Sequence, residues 1–104
     1  MDVTTADNRP NLGQIVQVLR GREARSFAIV IGFEEPNFVW IADGDQRKVD
    51  RPKKKNVKHV QPTNVVVEEI ARVLNDSGRV PDAMLRYALN QYLSKINIAE
   101  RKGE

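Results

Sequence analysis

The 104-residue chain contains no cysteine, so disulfides, thiolate metal sites and cysteine nucleophiles are excluded together. Its longest apolar run, Phe27 to Phe33, is far short of the roughly 20 residues that span a bilayer, and Met1–Asp7 has neither the basic start nor the apolar core of a signal peptide. The formal net charge of +3 conceals a concentrated excess: Arg47–His59 holds seven basic residues against Asp50, a net +6 that leaves −3 for the remainder. These features predict a soluble, cytoplasmic protein with no membrane partner.

Residues 1–11 are polar and aperiodic and are read as a flexible leader, with Asn8-Arg9-Pro10-Asn11 as a breaker. Ile15, Val16, Val18 and Leu19 predict a strand that Gly21 ends. Ser26–Phe33 places Phe27, Ile29, Ile31 and Phe33 on one face with Ala28 and Val30 between them, as in a central strand buried on both sides. Pro36-Asn37 supplies turn chemistry, and Phe38–Ala42 predicts a third strand. Asp43-Gly44 predicts a tight turn into a strand over Gln46–Val49, with a last short strand at Val57–Val60 after Pro52. Short strands joined by tight turns within about 50 residues predict a closed or nearly closed antiparallel barrel.

After Pro62 the period changes to helical. Val66, Ile70, Val73 and Leu74 form one stripe, with Thr63 or Asn64 as the cap and Gly78 as the terminator. Pro81 and Asp82 open a second helix whose face is Leu85, Ala88, Leu89, Tyr92 and Ile96. Six basic and six acidic residues cancel between Gln61 and Glu104. The resulting division is a leader (1–11), a barrel (12–61), a helical hairpin packed on or beside it (62–98) and a tail (99–104).

Local chemistry argues against catalysis. There is no phosphate-binding glycine loop, dinucleotide fingerprint or zinc-protease pair. His59, the single histidine, has no metal partners or triad signature around it. Asp43 and Asp45 lack the later glutamate of a calcium loop and are read as a turn. No cofactor and no metal is expected. Phe38 and Trp40 share a strand face and suit either base stacking or the core, and the core is the preferred reading.

The cations carry the functional reading. Lys53, Lys54, Lys55 and Lys58 form a loop that can neutralise phosphates and release counterions. Arg20, Arg22 and Arg25 surround a glycine turn, where guanidinium groups fork onto phosphate or stack on bases. With Arg47, Lys48, Arg51 and His59 they make up the candidate RNA-binding set.

Leu12-Gly13-Gln14-Ile15-Val16, the Gly21-Arg22-Glu23 loop, Phe27–Val30, Ile41-Ala42-Asp43-Gly44, Arg47-Lys48-Val49 and Arg51–His59 together resemble the KOW-type RNA-binding domains. The likeness is to short bacterial KOW proteins related to a eukaryotic and archaeal large-subunit ribosomal protein family, and it covers about half of the chain. It implies an α+β protein with a small SH3-like barrel followed by the helical hairpin. It also implies non-catalytic binding of structured ribosomal RNA on or around the ribosome. In the family the Gly-Arg pair is followed by an acidic residue, a lysine and a further glycine. Here the loop reads Glu23-Ala24-Arg25-Ser26, so a positive φ would fall on a side chain that resists it. A second functional class stays open: an adaptor that meets a protein of transcription or translation, for example through the helical hairpin, with the basic loop incidental.

Overall fold

The computed structural model describes residues 9–103, with side chains through Asn97, so residues 1–8 of the expected leader lie outside the described part. Five strands form one antiparallel sheet: β1 (Gln14–Val18), β2 (Phe27–Glu34), β3 (Phe38–Ala42), β4 (Lys53–Asn56) and β5 (Val60–Val66). Their order is β4-β3-β2-β1-β5, so β2 is central and β4 and β5 are the two edges. Two helices follow, α1 (Glu68–Ser77) and α2 (Asp82–Gly103). The architecture is α+β as expected, but the sheet is open. No ladder joins β4 to β5, so of the closed or nearly closed barrel expected, the closed form is ruled out.

Alternation in the strands feeds two cores. On one face Ile15, Ile29 and Ala42 meet Ile70 and Leu74 of α1, Val80, and Leu85 and Leu89 of α2. On the other, Val16, Val18, Ala28, Val30, Val39, Ile41 and Val60 pack together. Ala28, Ile29 and Val30 are all buried, as a central strand requires. The register slips between Val30 and Gly32, where Ile31 is the extra residue of a bulge. Phe33 therefore packs with Val30 instead of Ile29, against the simple alternation of the sequence.

Three local assignments change. Gln46–Val49 is a turn, because Val49 N–H donates to the Asp82 carboxylate at 2.8 Å and is thereby tied to α2 instead of to a neighbouring strand. The lysine run, expected as a loop, is edge strand β4, with Lys53, Lys54 and Lys55 paired to Ile41, Trp40 and Val39. Val57–His59 is a single 3-10 turn instead of a strand. Beyond it β5 passes straight through Pro62, which sits opposite Val16. An edge strand tolerates a residue that has no N–H to give.

Thr63 and Asn64 do not cap α1. Thr63 lies within β5, where its hydroxyl donates to the Ile15 carbonyl at 2.8 Å, and the helix begins only after Val67. Gly78 ends α1 at φ +79, as expected. Helix α2 continues to Gly103, past the expected end at residue 98. Ile70 and Leu74 of α1 and Leu85 and Leu89 of α2 are the buried members of the expected helix faces.

Candidate nucleic-acid interface

The expected turn at Asp43-Gly44 is built by one carboxylate. Asp43 Oδ1 accepts from the backbone N–H groups of Asp45 and Arg47, both at 2.8 Å, and the Arg47 carbonyl accepts from Asp43 and Gly44. This turn rests on the first turns of α2, where Arg86 Nη1 donates to the Gly44 carbonyl at 2.7 Å. Across from it the Gly21–Ser26 loop folds back, with Arg25 N–H donating to the Val18 carbonyl at 2.7 Å. Arg25 carries φ +77, the single positive φ on a non-glycine residue among those described. The missing second glycine is thus met by forcing an arginine into the left-handed region.

Between this loop, the Asp43–Arg47 turn and α2 lies an open cleft of about 680 Å³ whose cationic lining is Arg22, Arg25, Arg47 and Arg86. Glu23 on its wall accepts from Arg47 Nη2 at 3.2 Å. Arg47 Nε is buried with no acceptor among the described residues. Arg22 and Arg25 are exposed and have no carboxylate partner among the described residues.

The lysines sit around a corner of the sheet. On β4 successive side chains alternate, so Lys53 and Lys55 share one face and Lys54 takes the other. Lys55 Nζ donates to the Arg20 carbonyl at 2.8 Å and so ties β4 to the Gly21 loop. It is a structural cross-link as well as a charge. Lys53 is half-buried beside Glu23 and Arg47, while Lys54 and Lys58 are exposed. Asn56 Oδ1 accepts from Lys58 N–H at 2.9 Å and fixes the 3-10 turn. The His59 carbonyl accepts from Leu19 N–H at 2.9 Å, which places His59 next to the segment carrying Arg20.

The candidate set therefore divides. Arg20, Lys55 and His59 meet where β4 and the 3-10 turn approach the end of β1. Arg22, Arg25 and Arg47 meet in the cleft. Lys48 and Arg51 are exposed on the turn that Val49 pins to α2, outside that cleft. Asp50, the one acid of the basic stretch, is engaged by Arg79 at 3.0 Å. That pair is highly exposed on both sides, so it contributes little stability.

Reading the sequence missed Arg86, because nothing local sets it apart from other helical cations. Only the docking of α2 against Gly44 brings it to the cleft. Among the described residues no group of three metal-ligating side chains comes together, and no helix is long and apolar enough to cross a membrane.

Fold and site together define a small α+β domain with a cationic sheet edge and an arginine-lined cleft beside it. No family model matches the chain. Over 69 residues it is 33% identical to a Bacillus subtilis (strain 168) protein named "Putative ribosome-binding protein YbzG". That alignment takes in 66% of this chain and 93% of the relative. The chain belongs to the family of that protein.

Proposed function

We propose that this protein is a non-catalytic, KOW-related RNA-binding protein of the cytoplasm that associates with the ribosome by gripping structured ribosomal RNA. The observation that carries the reading is the convergence of cations from three separate segments. Lys55 meets the Arg20 carbonyl, Arg22 and Arg25 share the cleft with Arg47, and Lys53 lies beside Arg47. Among the basic residues of 20–25, 47 and 53–59, Arg47 alone has a carboxylate partner within the described residues. Unneutralised cations held on a rigid edge repel one another, and a polyanion relieves that repulsion by releasing its own counterions. The ribosome-binding name of the relative supports the ribosome as the source of that polyanion.

The cleft favours RNA over duplex DNA. Its arginines come from a loop, a turn and a helix side, an arrangement suited to bulges and loops with accessible 2′-hydroxyls. Among the described residues no helix presents a row of base-reading side chains to a major groove.

The test is charge removal at exposed positions whose ammonium groups make no hydrogen bond or ion pair among the described residues. Lys54 and Lys58 are exposed, unlike Lys55. Lys54→Gln/Lys58→Gln is expected to remain folded and to lose at least about tenfold in affinity for a bulged ribosomal RNA fragment. The salt slope of log K should flatten by about 1.4 to 1.8, the value for two phosphate contacts. Unchanged affinity and slope in a folded variant would remove this edge from the interface. The same variant should be depleted from ribosomal fractions sedimented at low salt.

A further inference from the structure

Two large aromatic side chains of the sheet remain outside both cores. Phe38 and Trp40 project from one face of β3 and are only partly buried, and neither belongs to either hydrophobic cluster. The helix-side core takes in Ala42 of the same strand face and stops there. On β2 the residue opposite Trp40 is Gly32, and a Cβ built there would come within 3.5 Å of the indole Cδ1. The indole therefore lies across Gly32 at ordinary van der Waals distance. On β4 the partner of Trp40 is Lys54, whose ammonium stands 5.0 Å from the Phe38 ring centroid and 5.9 Å from that of Trp40. An exposed lysine is thus the cover that these rings have on that side.

We propose that Phe38 and Trp40 form a stacking platform for unpaired bases of RNA, with Lys54 as a displaceable cationic lid. The inference rests on the RNA-binding reading above and adds to it a subsite that reads single-stranded character. A cation held over a ring at an exposed site is weakly bound, whereas a base stacked on an aromatic face is held more firmly. An arriving base therefore displaces the ammonium, and Lys54 loses nothing, because the phosphate of the same nucleotide is a better partner than a ring. The occupant is planar and polyanionic because the platform borders the lysine edge. On the platform's own face β4 contributes Lys54 and Asn56, paired with Trp40 and Phe38, with Lys53 and Lys55 on the other face of the same strand; the acid on the platform's face, Glu34, is paired with Phe38. A paired duplex cannot use such a platform, because its π-faces are buried in the stack.

The chain has one tryptophan, so its fluorescence reports on Trp40 directly. Wild-type protein is titrated with a hairpin RNA carrying a loop of unpaired adenines and, separately, with the blunt RNA duplex of the same stem. Quenching by the hairpin well beyond that caused by the duplex is expected. The duplex corrects for any effect of drawing Lys54 toward phosphate. A second arm uses Phe38→Leu/Trp40→Leu, which keeps apolar contact with Gly32 and the strand but removes both π-faces. Its preference for hairpin over duplex should fall at least about fivefold, the lower end for loss of one stacked base.

Hairpin binding with no more quenching than the duplex produces would overturn the platform and leave the cationic edge standing. So would a folded double-leucine variant with undiminished preference. Wild-type protein that binds neither RNA would bring down the RNA reading itself.

Discussion

Gly44 and Gly78 have nearly the same backbone, φ +81 and +79, but their surroundings differ. A methyl group on Gly78 meets nothing within 4 Å, whereas on Gly44 it would overlap the Asp82 carbonyl oxygen and come within 3.1 Å of Arg86 Cγ. Alanine at either site carries the left-handed penalty of about 1–2 kcal/mol. At Gly44 the overlap can be relieved only by lifting the Asp43–Arg47 turn from α2. That movement disturbs the Arg86–Gly44 and Val49–Asp82 hydrogen bonds, each with a charged partner and worth about 1.5–3 kcal/mol. Gly78→Ala is therefore expected to cost about 1–2 kcal/mol and Gly44→Ala about 3–5 kcal/mol. For a domain of this size the first should lower Tm by about 5–10 °C and the second by 15 °C or more. Urea and thermal denaturation followed by circular dichroism would measure both. Equal losses at the two sites, within about 0.5 kcal/mol, would show that the turn is not locked onto α2 and that the cleft wall it forms is not fixed.

Arg25→Gly should exceed Arg25→Ala in stability by about 1 kcal/mol, because both lose the side chain and only alanine keeps the positive-φ penalty; paired thermal melts would show it. Lys55→Met retains the aliphatic stem but not the bond to the Arg20 carbonyl, so amide hydrogen exchange should accelerate in residues 19–25 while the sheet centre stays protected. Arg86→Met should destabilise the fold by about 1–3 kcal/mol and also weaken RNA binding, since one guanidinium both braces Gly44 and lines the cleft. A chain ended after Pro62 should be unfolded by circular dichroism, because it loses half of β5 and uncovers Ile15, Ile29 and Ala42.

The three hydrophobic strands, the central place of β2 and the buried faces of both helices were legible because local periodicity reports directly on what must leave water. Concentration of positive charge in residues 47–59 was equally plain, since charge adds up along the chain whatever its fold. The loop lacking its second glycine also announced its own strain, which Arg25 bears.

Pairing decided the rest. Lys53–Asn56 has no apolar alternation, so only the neighbouring β3 makes it a strand, and only an edge position tolerates Pro62 within β5. Phe38 and Trp40 read as core residues from composition, because large aromatic side chains usually bury themselves. Whether they do depends on how far α1 and α2 extend over the sheet, and these helices stop at Ala42. Arg86 reaches the cleft for a similar reason: a helix carries side chains to places its own sequence does not specify. Charge and burial propensity are properties of residues, whereas a site is a property of contacts between segments, and here those contacts join residues 20–25, 43–59 and 86.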